Sequence, residues 1–168
     1  MVIKYDGQLS LKYKIYNMIT IEDFKIKHPN KVRFIGLDLG SKRIGVSICD
    51  EKQSIATPFK TINKTNTNEL IDELKVIVEE NNIGGIIVGN PVNMDGTLGR
   101  SSQSVNDVAS NISKSIDLPV ILWDERLSTV GAFNLSSLLD VNVSKRVKTI
   151  DQNAAAFILQ GAIDFLNN

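Results

Sequence analysis

The period of hydrophobic and polar residues changes along this chain, and the first part of the pattern predicts strands. The stretch from Val32 to Asp50 predicts two strands joined by a tight turn at Gly40-Ser41-Lys42. In the second strand apolar residues alternate with small ones, which places Ile44, Val46 and Ile48 on one face. Residues 54–62 predict a third strand, and Pro58 favours a sheet edge because proline cannot donate to the ladder. Three antiparallel strands are therefore expected in succession.

The second part of the pattern alternates helices with buried strands. A first amphipathic helix is predicted after a cap at Asn66 or Thr67, and a second after a cap at Ser101 or Ser102. The apolar runs IGGIIVG (83–89) and VILW (120–123) predict buried parallel strands. A third helix is expected to begin at Ser128 or Thr129, and a polar loop to lead to a last helix from Asp151 to Leu166.

Together these elements predict an α/β fold with a mixed five-stranded sheet, in which a three-strand antiparallel meander joins two parallel strands and helices flank the sheet. Residues 32–168 are predicted to form this domain. Residues 1–31 hold all three tyrosines and the only histidine, and they are predicted to be an N-terminal extension, mobile in part. Within the extension, Thr20 is expected to open a short helix that ends at His28-Pro29-Asn30.

Composition narrows the class of protein. The chain has 168 residues, 42% of them hydrophobic, which is enough for one substantial core. Basic and acidic residues number 19 each, so a polyanionic partner must be held locally rather than by a global field. The single cysteine, Cys49, excludes an internal disulfide and fits a reducing compartment. No apolar run approaches the roughly 20 residues that span a bilayer, and a cytoplasmic protein is expected.

Acidic residues stand at the ends of predicted elements. Asp38 closes the first strand, Asp124-Glu125 closes the last, and Asp151 stands at the head of the final helix. Active sites gather at strand ends in open α/β sheets, and helical spacing places Asp151 on the face that packs against the sheet. Carboxylates held this close repel one another unless a cation lies between them. Mg²⁺ or Mn²⁺ suits oxygen ligands, and two ions about 3.5–4 Å apart recur in phosphodiester hydrolysis.

Each acid also has a simpler interpretation. Asp38 could cap the turn after its strand, Asp151 could be a helix N-cap, and Asp124-Glu125-Arg126 could be a surface ion cluster of little energetic weight. Spacing alone leaves the metal-site hypothesis and these alternatives about evenly balanced.

Basic residues near the acids are candidates for nucleic-acid binding, because phosphate contacts position a strand while metal ions do the chemistry. Most exposed basic residues only interact with solvent, so the hypothesis depends on their placement. Asn93, Asp95 and Gly96 are further candidates for substrate contact, although a role as turn residues is at least as well supported. The predicted basic rim consists of Lys42, Arg43, Arg100, Arg126, Lys145, Arg146 and Lys148.

Four segments, in this order and spacing, resemble the YqgF/RuvX family of pre-16S ribosomal RNA nucleases, also described as Holliday-junction-resolvase-like proteins. They are FIGLDLGSKRIGVSICD, VGNPVNMDGTLGRSS, DERLST and IDQNAAAFIL, which extend from about Arg33 to Leu166. The four segments together are specific for this family, whereas the DLG motif alone would be weak evidence for it. Two features depart from the family: Asn90 replaces a frequent leucine, and the first 30 or so residues lie outside the pattern.

The resemblance implies an RNase H-like fold and a divalent-metal nuclease that matures the 5′ end of small-subunit ribosomal RNA in ribosome biogenesis. It implies catalytic roles for Asp38, Glu125 and Asp151, and metal ligation by these residues and Asp124. The expected partner is precursor rRNA, with a ribosomal assembly particle as a further candidate, and the expected state is a monomer or homodimer.

Other functions stay open at this point. A resolvase acting on DNA junctions and a non-catalytic nucleic-acid-binding assembly factor are the nearest alternatives. An actin-like or sugar-kinase ATPase is disfavoured, because those proteins need two phosphate-binding hairpins and this sequence has one, with no GxxxxGK[ST] loop.

Overall fold

The chain folds around one mixed sheet. A computed structural model describes residues 18–27, 31–127 and 143–168, with the backbone only over 143–149. The strands lie in the order β1-β6-β5-β2-β3-β4, in which β2, β3 and β4 are antiparallel and β1, β6, β5 and β2 are parallel. Their bounds are β1 Met18–Ile19, β2 Arg33–Leu39, β3 Arg43–Cys49, β4 Ala56–Asn63, β5 Ile83–Asn90 and β6 Val120–Asp124.

The α/β class and the mixed sheet predicted from the sequence are confirmed, and Pro58 lies on an edge strand as expected. The predicted number of five strands is wrong, because the two-residue β1 pairs with β6 and adds a sixth. A strand of two residues is too short to show the alternation from which strands are predicted.

The described helices are α1 (Ile21–Lys27), α2 (Thr67–Glu80), α3 (Arg100–Ser115) and α4 (Val143–Asn167), and Glu125–Leu127 form one 3-10 turn. The Asn66 side chain accepts a hydrogen bond from the Glu69 amide at 2.9 Å, so this predicted cap of α2 is confirmed. The predicted third helix after Ser128 or Thr129, and the predicted end of α1 at residues 28–30, lie outside the described residues. None of the helices in the described ranges is long and apolar enough to cross a bilayer.

The start of the last helix differs from the prediction. It begins at Val143, so Asp151 lies about two turns inside the helix, and the predicted polar loop through Lys145, Arg146 and Lys148 is wrong. Lysine and arginine are good helix formers, and no glycine or proline interrupts this stretch, so polarity alone was a poor indicator of a loop. The interpretation of Asp151 as a helix N-cap is excluded with it.

Helices cover both faces of the sheet. Side chains alternate along β2, so Ile35 and Leu37 join the core under α2 and α3, whereas Phe34 joins the core under α1 and α4. The alternation predicted for β3 is confirmed, because Ile44, Val46 and Ile48 share the first core. Asp38 follows Leu37 and therefore lies on the α4 face.

The described part of the predicted extension packs on the domain. Phe24 of α1 is 2% exposed and meets the Phe34 ring edge-to-face, with 5.2 Å between centroids. The Lys25 ammonium donates to the Phe165 carbonyl at 3.2 Å. Residues 18–27 thus join the sheet and α4 through backbone pairing, aromatic contact and a hydrogen bond.

Candidate active site

The candidate site lies where the parallel strands end. Asp38 is the penultimate residue of β2, Asp124 ends β6, and Glu125 follows it as the first residue of the 3-10 turn. Strands β2, β5 and β6 are parallel, so their carboxyl ends meet at one edge of the sheet. The strand ends thus bring Asp38 and the Asp124-Glu125 pair to the same edge.

Glycines let the last helix lie directly on the β2-β3 hairpin. Gly45 pairs with Asp38 in the sheet, and a Cβ added to it would lie 1.9 Å from the Asp151 carbonyl oxygen. At Gly36 of β2 an added Cβ would lie 2.6 Å from the Leu159 Cβ, so α4 is also close to the backbone there. The bare backbone at Gly45 therefore brings Asp151 next to Asp38.

A third glycine positions Glu125. A Cβ added to Gly89 of β5 would lie 2.6 Å from a carboxylate oxygen of Glu125. Because β5 separates β6 from β2, the Glu125 side chain crosses β5 toward Asp38. The roles of Gly45 and Gly89 were not predicted from the sequence, although a glycine inside a strand is itself a signal of close approach.

The acids of this edge affect one another electrostatically. Burial raises the pKa of the Asp38 carboxyl, and the nearby Asp151 carboxylate raises it further. Burial also raises the pKa of Glu125, with added repulsion from Asp38 and Asp124. Asp38 is therefore the central acid, close enough to both Glu125 and Asp151 for repulsion.

Two of the acids are paired with arginines from the predicted basic rim. The Arg43 Nε donates to the Asp151 carboxylate at 2.6 Å. The Arg126 guanidinium donates to both Asp124 oxygens at 2.6–3.0 Å, and these hydrogen bonds lower the pKa of Asp124. In the described part of the chain, no basic side chain forms an ion pair with Asp38 or Glu125. No three described His, Cys, Asp or Glu side chains form a group placed to hold a metal ion.

The loop after β5 is closed by its own hydrogen bonds. The Thr97 amide donates to the Asp95 carboxylate at 2.9 Å, and Gly96 takes a left-handed conformation with φ 85°. Asp95 and Gly96 thus form a turn, as expected. Their contact with substrate stays a prediction. Asn90, where the family often has leucine, accepts a hydrogen bond from the Ser102 hydroxyl at 2.6 Å and so connects the loop to α3.

The other predicted nucleic-acid contacts differ in placement. Lys42 is exposed in the β2-β3 turn, and Arg100 is the exposed first residue of α3. The side chains of Lys145, Arg146 and Lys148 lie outside the described residues. Their contact with nucleic acid stays a prediction.

The ion pair between Arg43 and Asp151 is expected to contribute little to stability. Arg43→Gln should lower the free energy of unfolding by less than about 1 kcal/mol, because the two side chains are 39% and 21% exposed and water screens their attraction. Urea unfolding measures this change. Lys60→Gln, which breaks the exposed Lys60–Glu73 pair, is the matched control. A loss above about 2 kcal/mol for Arg43→Gln alone would show instead that the pair anchors α4.

Comparison with known proteins identifies a family and individual relatives that this chain resembles in sequence. A family model described as RuvX, Holliday junction resolvase, matches residues 32–165. A Pelagibacter ubique protein named "Putative pre-16S rRNA nuclease" is 95% identical over 151 residues, which cover 90% of this chain and 100% of the relative. A Sphingopyxis alaskensis protein of the same name is 45% identical over 142 residues, with 84% of this chain and 93% of the relative covered.

Solved structures of Holliday junction resolvases are also similar. Thermus thermophilus RuvC in complex with a Holliday junction substrate aligns with a TM-score of 0.49 at 9% identity, covering 76% of this chain and 91% of that one. The yeast mitochondrial Holliday junction resolvase Ydc2 aligns with a TM-score of 0.46 at 13% identity, covering 86% and 83%.

Proposed function

Since the chain belongs to the RuvX family, we propose that it is a nuclease that hydrolyses phosphodiester bonds with the help of divalent metal ions. The observation that supports this most directly is the convergence of Asp38, Glu125 and Asp151 at one sheet edge, where Asp38 and Glu125 are half-buried and form no ion pair with a described basic side chain. Buried acids that repel one another are costly, and a cation between them relieves the repulsion.

Mg²⁺ and Mn²⁺ both prefer carboxylate oxygens as ligands. Two of the acids, Asp38 and Glu125, form no ion pair with a described basic side chain, whereas Asp124 and Asp151 are paired with arginines, so no described group of three is yet arranged around a metal. Asp38 and Glu125 would hold the metal, and Asp124 and Asp151 could complete its ligands by exchanging an arginine for the cation. When bound, one or two such ions supply a water of lowered pKa and stabilise the charge on the leaving oxygen. Asp38 and Glu125 would act through the metal, and Asp151 would join them if it exchanged Arg43 for the cation.

For the substrate, we propose precursor ribosomal RNA of the small subunit, with cleavage at its 5′ end during ribosome biogenesis in the cytoplasm. The names of the curated relatives support this choice. A four-way DNA junction is the second candidate, because the matching family model is described as a Holliday junction resolvase. A ribosomal assembly particle is a further candidate partner.

Metal removal tests the activity. The wild-type protein is incubated with precursor rRNA and with a four-way DNA junction, in Mg²⁺, in Mn²⁺ and in chelator. We expect cleavage of the RNA with either metal and none in chelator, and restored cleavage when excess Mg²⁺ is added back. Cutting that persists in chelator contradicts the metal mechanism. Preferred cutting of the junction identifies the DNA resolvase, and binding without cutting identifies a non-catalytic assembly factor.

A further inference from the structure

A cleft of about 280 Å³ opens on the face of the sheet opposite Asp38. Leu39 forms part of its wall, and because side chains alternate along β2, Leu39 points away from the face that carries Asp38. The cleft lies between the β2-β3 turn, the residue after β4 and the first turns of α3, which contribute Ser41, Lys64 and Arg100. The Lys64 amide donates to the Lys42 carbonyl at 2.9 Å, which fixes the end of β4 against the hairpin turn.

The lining of this cleft combines an apolar part, formed by Leu39, Pro91, Val105 and Val108, with polar and basic residues that suit an anion. It contains two basic residues, Lys64 and Arg100, and no acidic residue. Neither of the two forms an ion pair within the part of the chain that the structure describes, although Lys64 is half-buried. Hydroxyl donors come from Ser41, Ser101 and Ser104, and the positive end of α3 adds to the potential, since its N-cap Gly99 offers no side chain to the first amides.

The position of the cleft relates it to the candidate active site. Ser41 is three residues beyond Asp38, so only the β2-β3 turn separates the two. A protein with no net charge must hold a polyanion by local cations. At the acidic edge, Arg43 and Arg126 are already paired with Asp151 and Asp124, whereas the cations of the cleft have no such partner among the described side chains.

We propose that this cleft binds a backbone phosphate of the nucleic-acid strand whose bond is cut at Asp38. The inference rests on the proposed nuclease function. The strand passes from the acidic edge over the Gly40-Ser41 turn, and Lys64 and Arg100 receive a phosphate further along it. The Ser41, Ser101 and Ser104 hydroxyls donate to its oxygens, and the cleft thereby fixes which bond of the strand lies at the metal site.

Salt-dependent binding tests this proposal without any contribution from catalysis. The affinity of a labelled single-stranded RNA is measured by fluorescence anisotropy in chelator over a series of salt concentrations, for wild type and for the double variant Lys64→Ala/Arg100→Gln. One lost phosphate contact should reduce the slope of log affinity against log salt by about 0.7. At low salt the double variant should bind the RNA about 10-fold more weakly than wild type. The single variant Arg100→Lys retains the charge, so its slope of log affinity against log salt should equal that of wild type.

The matched control is Lys52→Ala, which removes an exposed lysine in the β3-β4 turn at the opposite end of the sheet. Its binding and salt slope should equal those of wild type, and thermal unfolding checks that every variant is folded. If the double variant binds like Lys52→Ala while wild type cuts RNA, the cleft has no such role and the nuclease proposal stands. If wild type neither binds nor cuts RNA or DNA, both proposals are wrong. A DNA strand of the same sequence distinguishes a general phosphate site from one limited to RNA.

Discussion

Replacing Asp38 by asparagine should lower the rate of cleavage at least about 100-fold and, at neutral pH, raise the thermal stability of the metal-free protein. The loss of activity is expected because Asp38 is the central acid, facing both Glu125 and Asp151. The gain in stability is expected because the amide has the shape of the carboxylate but removes its charge from a buried, repulsive setting. Asp38, a residue retained for function, thus reduces the stability of the metal-free protein.

The pH dependence of this gain follows from the direction of the pKa shift. Burial and Asp151 raise the pKa of folded Asp38 above its ordinary value of 3.8, so in the interval between the two values the folded state holds a proton that the unfolded chain has released. Wild-type stability therefore falls as pH rises through that interval, and it stays lower at all higher pH. The raised pKa of Glu125 acts in the same direction. The difference in stability between Asp38→Asn and wild type should be greatest near neutral pH. It should vanish in acid, below the ordinary pKa of Asp38.

Differential scanning fluorimetry from about pH 3 to about pH 8 measures both proteins, so that the range extends below the ordinary pKa of Asp38. A gain of only about 1 kcal/mol raises Tm by about 2–4 °C in a domain of this size. Saturating Mg²⁺ should stabilise wild type and narrow the gap, because the ligand binds the folded state. Asp117→Asn, at an exposed position before β6, is the matched control and should change neither Tm nor cleavage. Undiminished cleavage by Asp38→Asn would remove Asp38 from the mechanism.

Gly45→Ala should cause the largest loss of stability, about 3 kcal/mol or more, together with loss of cleavage. The added methyl group would lie 1.9 Å from the Asp151 carbonyl oxygen and 3.2 Å from the Gln152 amide nitrogen, both of them backbone atoms of α4. A side chain could rotate away from such a contact, whereas the backbone can yield only if the helix shifts, and overpacking of this kind costs a few kcal/mol. The shift would also move Asp151 away from Asp38.

Urea unfolding and a cleavage assay measure these two effects. Gly99→Ala is the control. Among the described residues, the atoms nearest to its added Cβ belong to the Asn93 side chain, at 3.4–3.8 Å, so the substitution should cost about 1 kcal/mol or less as a poorer N-cap. If Gly45→Ala and Gly99→Ala were almost equally stable, α4 could shift away from the hairpin at little cost in free energy. Gly45 would then not determine the position of Asp151.

The sequence alone predicted much of what positions the site. The period-2 pattern of β3 was predictable because its large apolar side chains share one face, while small residues occupy the other face, which is buried under α4. The ends of the parallel strands identified Asp38 and the Asp124-Glu125 pair. The placement of Asp151 on the sheet-facing side of its helix also follows from spacing. These features are local: each depends on a period within one element, or on the rule that parallel strands end at one edge.

Tertiary structure decided the remaining features. The partner of Arg43 is Asp151, 108 residues away, and no local pattern encodes such a pair. No local pattern encodes β1 either, because its two residues become a strand only by pairing with the free edge of β6. The cleft likewise depends on packing, since Ser41, Lys64 and Arg100 come from three separate segments. The sequence by itself determined which acids reach the sheet edge, since periodicity is a property of neighbouring residues. Only the packed fold decided that Arg43 meets Asp151 and how closely α4 approaches the hairpin, because those contacts depend on distances between segments remote in the chain.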